Sequence, residues 1–214
     1  MRKQLRVEAT LAEMDAVMPW GRWVSLIKPF YTSRYLFDCE TMLRIYCIQK
    51  WNNLSDPEME ETLYDRLSYQ KFVGLDGFTD PVPDESTILR FRHLLEDHDI
   101  DKVIFADTLA YLAELGLVLK RGTIMDATLF EAPVSKKHTA GERDPEMSST
   151  KKKNRKHSGI RAKVEHPFRT FKVVWKHRTL RYKGLAKNAT NFTMLCALHN
   201  IFCSRKKILA LKGG

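Results

Sequence analysis

The chain lacks several things, and each absence excludes a class of function. No apolar run approaches the roughly 20 residues that a bilayer-spanning helix needs, and no secretory apolar region follows Met1. A soluble cytoplasmic protein is therefore the expectation. Only four cysteines are present, Cys39, Cys47, Cys196 and Cys203, and none forms a C-x-x-C pair. That argues against a disulfide scaffold or a zinc ribbon and for reduced packing residues. Cys196, His199 and Cys203 would share one helical face, so a metal site has to be weighed. The segment "FTMLCALHNIF" is otherwise apolar and offers no fourth ligand, which favours a buried helix face. There is no P-loop, no G-x-G-x-x-G, no G-x-S-x-G and no H-E-x-x-H, so nucleotide-dependent and serine-hydrolase chemistry find no support and no nucleotide cofactor is expected.

Acidic residues are also missing, but only from one end. Residues 151–214 carry 18 basic side chains and a single acid, Glu165, a net of +17, whereas residues 1–150 carry a net of −7. Such a split points to a polyanionic partner for the C-terminal part. A disordered basic tail is the plainer alternative, but Phe168, Phe171, Trp175, Tyr182 and Phe192 are interleaved with the cations, and tails of that kind lack aromatics. Basic and apolar residues do not separate onto opposite faces, so nucleic acid fits better than a membrane surface.

Residues 1–116 read as a helical bundle. Leu11, Met14 and Met18 suggest a first short helix. Asp38 can cap "CETMLRIYCIQKW", whose Met42, Ile45, Tyr46 and Trp51 form an apolar stripe. Ser55 and Glu58 form a capping box with Pro57 in the first turn. The turn-rich "LDGFTDPVP" ends that pair of helices. Asp84 can cap "ESTILRFRHLLEDH", with Ile88, Phe91 and Leu95 on one side and Arg90 and Arg92 read as lying off it. The last helix of this half, "DKVIFADTLAYLAELG", stops at Gly116, a natural residue just beyond a helix C-terminus. Residues 117–133, "LVLKRGTIMDATLFEAP", are β-branched and apolar and predict a strand, or a hairpin turning at Lys120–Gly122. Residues 134–159 are polar, basic and serine-rich and predict a linker. Residues 160–214 predict two helices, near Ile160–Trp175 and Ala186–Lys206.

Two carboxylates stand in unusual places. Asp126 falls inside the apolar strand, an expensive place for a charge unless a cation or hydrogen-bond donors meet it; a strand-end aspartate with its head in water is the ordinary alternative. Glu165 lies in the basic run. On a helix, Arg161, Glu165 and Lys172 fall within about 40° of one another, beside the apolar stripe Ile160, Val164, Phe168 and Phe171. A carboxylate framed by two cations suits a divalent metal near a phosphate; an i, i+4 ion pair accounts for it as well. Pro167 is expected to kink the helix just past Glu165.

The pattern R-x3-E-x6-K, formed by Arg161, Glu165 and Lys172, resembles the C-terminal signature of DDE insertion-sequence transposases. The words "ETMLRIYCIQKWNNLSDPEMEETLYD", "PVPDESTILRFRHLLE", "RGTIMDATLFEAP", "RDPEM", "IRAKVEHPFR" and "RYKGLAKN" look like the insertion-sequence five family, in order, from about Leu11 to Lys206. The resemblance implies a mainly α (α+β) chain: a helical N-terminal domain that helps bind transposon ends, then an RNase H-like core. In that core an Asp, Asp, Glu triad holds two magnesium or manganese ions for an in-line displacement at phosphorus. Asp126 matches the first Asp and Glu165 the final Glu, the implied catalytic and metal-holding pair. Arg161 and Lys172, with Lys163 and Arg169 beside them, are the implied DNA-binding cations. Terminal inverted repeats are the implied partner, and a homo-oligomer is a further expectation.

The chain departs from that pattern. Ser158 stands where the signature has a tyrosine. Only 38 residues separate Asp126 from Glu165, mostly polar, where family members carry further strands and the second catalytic Asp. Asp144, in "ERDPEM", is the only aspartate between them, and the resemblance gives it no metal role. The segment reads as the scar of an internal deletion near Lys151–Arg155. A two-metal site short of one carboxylate should hold its second ion weakly. The expectation is a stable N-terminal half, a poorly supported C-terminal remnant with one strand or hairpin and two helices, and impaired strand transfer. A non-catalytic DNA-binding fragment competing with intact transposase, and a decayed product, remain the alternatives.

Overall fold

The computed structural model describes residues 6–32, 36–77, 79–117, 168–179 and 181–213. Among these residues the structure is helical, with no strand, as the mainly α expectation has it. The strand or hairpin predicted at 117–133 and the linker at 134–159 lie outside the described residues, as does the first part of the helix predicted from Ile160.

Seven helices run through the N-terminal half: α1 (Arg6–Val17), α2 (Trp20–Ile27), α3 (Cys39–Asn52), α4 (Asp56–Asp65), α5 (Leu67–Val73), α6 (Glu85–Asp97) and α7 (Ile100–Glu114). Their starts follow the capping logic of the sequence. The Asp38 carboxylate accepts from the Glu40 amide, and the Asp84 carboxylate accepts from the Thr87 amide at 2.7 Å. Ser55 and Glu58 close the reciprocal capping box, which also pulls the Glu58 pKa below its ordinary value through the Ser55 amide and hydroxyl. Gly116 takes φ +68° just past α7, a left-handed conformation open to glycine without a Cβ penalty.

Two features depart from the sequence reading. A separate helix, α2, follows Pro19 and buries Trp20, Trp23 and Ile27. The second of the capped helices breaks at Arg66, whose extended backbone (φ −122°, ψ 95°) separates α4 from α5.

The C-terminal part begins with a π-helical turn, Thr170–Val174, and ends in a 28-residue helix, α8 (Leu185–Lys212). This helix is longer than the predicted Ala186–Lys206 and is no loosely held remnant. It packs most extensively along α7 and next along α1, and an unbroken run from Thr193 to Ile201 is buried. One hydrophobic core takes in both halves, from Met14, Trp23, Leu43 and Leu95 to Phe171, Trp175, Leu198 and Ile208. The physical reason is that α7 buries Ile104, Thr108, Tyr111 and Leu112, and an apolar helix is needed to cover them. His199, 1% exposed, sits with its ring 5.3 Å from Phe171 and 6.3 Å from Trp175, tying the π-helical turn to α8. It lies near Cys203 (Sγ to Nε2 3.3 Å), but among the described residues no group of three or more His, Cys, Asp or Glu could hold a metal. Among them, too, no helix is long and apolar enough to cross a membrane.

Candidate nucleic-acid interface

Of the sequence-predicted site residues, Asp126, Arg161, Lys163 and Glu165 lie outside the described residues. Arg169 and Lys172 are described. Both are exposed at the π-helical turn, and the Lys172 ammonium lies 5.9 Å from the centre of the Phe168 ring.

What fixes the position of this turn is a buried polar cluster between the two halves. Lys50, on α3, is 4% exposed. Its ammonium donates to Asn191 Oδ1 of α8 at 2.6 Å and reaches the Tyr182 hydroxyl at 3.5 Å. It also lies 4.5 Å from the centre of the Tyr46 ring. The Tyr46 hydroxyl bonds Asp101 Oδ1 at 3.2 Å, while Oδ2 of that fully buried carboxylate has no hydrogen-bond partner among the described residues. Burial dominates the electrostatics here. It lowers the Lys50 pKa to about 8 and raises that of Asp101 to about 7, with the charge of each resisting the shift of the other. Burial, reinforced by Asp101, also pushes the Tyr46 phenol well up.

Arg92 belongs to the same cluster, which corrects its expected position off the apolar face of α6. It is 7% exposed, donates to Asp56 Oδ2 at 2.9 Å and Glu96 Oε1 at 3.0 Å, and lies 4.9 Å from the centre of the Tyr182 ring. Burial opposes its charge, but Asp56, Tyr182 and Glu96 outweigh that cost and hold its pKa above the ordinary value. The signal was available: Arg92 is four residues after Ile88 and three before Leu95, which is the buried face. Arg92 is therefore committed to the interior, and α6 is a core helix. Arg90 alone of the pair is exposed, bonded to Ser86 Oγ at 3.1 Å.

The rest of the docking is carried by backbone carbonyls. His177 Nε2 donates to the Lys50 carbonyl at 2.6 Å, which fixes its tautomer, and burial lowers its pKa. Asn53, left-handed at the end of α3 (φ 52°), donates to the Lys176 carbonyl at 3.1 Å and accepts from Arg181 at 2.8 Å. Asn188 bonds both the amide and the carbonyl of Tyr182, closing the turn before α8.

The outward side of this docked segment is cationic. Residues 168–213 hold eleven Lys and Arg and no acid. Arg169, Lys172, Lys176, Arg178, Lys183 and Lys187 are all exposed. The inward polar groups are paired with the bundle, and the outward ones face solvent. Such a surface attracts a polyanion by releasing its counterions.

A buried frame that holds out a row of exposed cations defines a class of helical proteins with a basic face. Comparison with known families narrows it. Residues 1–94 match a transposase domain (DUF772), and residues 90–201 match the transposase DDE domain. The second match covers more than half of the chain, and the chain belongs to the DDE transposase family. The two matches meet within α6, so α7 and α8, which share the largest helix contact, both fall largely in the DDE match. No solved structure matches the chain. Members of this family generally use divalent metals and bind DNA. Residues 168–213 supply no carboxylate, so metal ligands beside Arg169 and Lys172 would have to come from elsewhere in the chain.

Proposed function

We propose that the protein is a shortened transposase of the insertion-sequence five type. It binds the terminal inverted repeats of its element and is impaired in strand transfer. The observation that carries the DNA-binding part is the exposed row of cations from Arg169 to Lys187 on a segment that has no acid of its own. Arg161 and Lys163 extend that row in sequence. Asp126 and Glu165 are the proposed metal-holding pair, matched to the first Asp and the final Glu of the family pattern. The metal, Mg²⁺ or Mn²⁺, would polarise the scissile phosphate and activate the attacking oxygen. Impairment is argued from the 38 residues between that pair, which offer Asp144 alone in place of the second Asp. The proposed setting is the cytoplasm, where the DNA is.

Titration of labelled end-sequence DNA over a salt series tests this. Affinity is expected to fall steeply with salt, at a slope of about −0.9 per phosphate neutralised. Arg169→Gln and Lys172→Gln should each reduce that slope by about 1. A salt-independent affinity, or none, refutes the DNA reading. Mg²⁺- or Mn²⁺-dependent cutting abolished by Asp126→Ala would refute the impairment.

A second reading is a non-catalytic fragment that competes with intact transposase for the ends. The shared core of α1, α7 and α8 favours it, because it gives such a fragment a folded body. Binding of ends with no cutting under any metal supports this reading over the first.

A further inference from the structure

We propose that the cleft between α1, the π-helical turn and α8 is a pocket for one unpaired nucleobase and its phosphate. The proposal rests on the DNA-binding reading and deepens it. The cleft is about 390 Å³, within the range of roughly 300–1,000 Å³ of ligand pockets. Its walls are mostly apolar and rich in rings: Trp51 of α3, Tyr69 of α5, Trp175 and Phe202. Arg6 and Arg205 contribute the cations.

Two observations select a nucleotide over a purely apolar ligand. The Arg205 guanidinium lies 4.1 Å from the centre of the Phe202 ring, a flat cationic surface of the kind on which bases stack. Its Nε lies 3.2 Å from Glu13 Oε2 of α1, an ion pair in the cleft wall that offsets its charge, so Arg6 is the cation that would meet a phosphate. The pocket also continues into Val174, two residues from Lys172 and from Lys176, so a base inside it would trail its backbone along the cationic row.

The source of the base can be a DNA end or a free nucleotide, and the experiment separates them. The full chain is titrated with a blunt duplex, with the same duplex carrying a short unpaired overhang, and with thymidine monophosphate, while tryptophan emission is followed. Two of the four tryptophans, Trp51 and Trp175, line the cleft. The overhang duplex is expected to bind at least about fivefold tighter than the blunt one and to quench emission. Val174→Phe fills the cleft from a side chain that is 54% exposed, without changing charge or the core. It should erase the preference and the quenching while leaving blunt-duplex affinity intact. Trp51→Phe should remove part of the quenching, leaving the share that Trp175 contributes. Quenching by the monophosphate without any overhang preference supports the pocket and assigns it to free nucleotides. Equal affinities with unchanged emission overturn the pocket and leave the DNA reading standing. Failure to bind any DNA, with no response to the monophosphate, overturns both.

Discussion

Replacing Leu198 with alanine tests whether the two halves are one cooperative unit. Leu198 is fully buried on α8, in the helix run that covers α7. Truncating such a leucine removes its transfer free energy and leaves a cavity, and the combined cost is about 3–5 kcal/mol. A protein of this kind has only about 5–15 kcal/mol of stability in total. With a urea slope of about 2 kcal/mol per molar, the midpoint should move down by about 1.5–2.5 M. The informative probe is tryptophan emission with Trp51 and Trp175 replaced by Phe in both parent and variant, because the remaining Trp20 and Trp23 lie on α2, remote in sequence from the substitution. In a shared core their transition moves with the far-UV signal of the helices. Leu211→Ala, on the same helix but exposed, should stay within about 0.5 kcal/mol of the parent. An early loss of helix signal with an unmoved tryptophan transition would refute the argument, since α8 would then melt alone from an intact bundle.

The buried cluster predicts a stability minimum near neutral pH. Between about pH 4 and 7 the folded chain keeps an Asp101 proton that the unfolded chain releases, so stability falls as pH rises. Above about pH 8 the unfolded chain keeps a Lys50 proton that the folded one has lost, so stability rises again. Urea midpoints taken across this range check it, and Asp101→Asn should flatten the acidic limb and move the basic limb to lower pH, because the Asp101 charge helps hold the Lys50 proton. Arg92→Met strands Asp56 and should cost about 3 kcal/mol in a thermal or urea melt, whereas Arg90→Met should be nearly silent. Asn191→Ala removes the acceptor of the Lys50 ammonium and should cost about 2 kcal/mol, with Asn191→Asp recovering most of it in the same melts.

Local chemistry was legible in the residues; long-range chemistry was not. Asp38, Ser55 with Glu58, Asp84 and Gly116 all mark helix ends, because capping is decided by three or four neighbouring residues. The helix α2 escaped notice since it is short, follows Pro19 without a side-chain cap and has a glycine inside it. Arg92 carries two opposed signals: its spacing from Ile88 and Leu95 places it on the buried face, and its charge points to the surface. Lys50 and Asp101 are 51 positions apart, and nothing local says that they share a dry site with Asn191, a further 90 positions on. The DDE-type resemblance, by contrast, was visible in the words themselves and the family match bears it out. The pair Asp126 and Glu165 rests on that resemblance alone, as neither is among the described residues.

The charges of the C-terminal segment are sorted by the fold, and the sorting makes its two roles separable. Polar groups that face the bundle are matched: Asn191 by Lys50, Tyr182 by Lys50 and Arg92, His177 by a carbonyl, Arg181 by the carbonyl of Asn53. A buried charge without such partners would cost several kcal/mol, so docking selects for this matching. The cations that face outward have no such requirement. An exposed ion pair there would be worth about 1 kcal/mol or less, and an acid would oppose a polyanion, so none is gained by adding one. Variants on the two sides should therefore act on different observables. Leu198→Ala lowers stability and leaves the salt slope of DNA binding unchanged where the protein remains folded; Lys172→Gln lowers the slope and leaves the urea midpoint unchanged. The double variant should show both losses added, because an exposed side chain on the turn and a leucine buried against α7 have no partner in common. A coupling above about 0.5 kcal/mol in stability, or a salt slope that depends on residue 198, would mean that the basic row and the core are not independent.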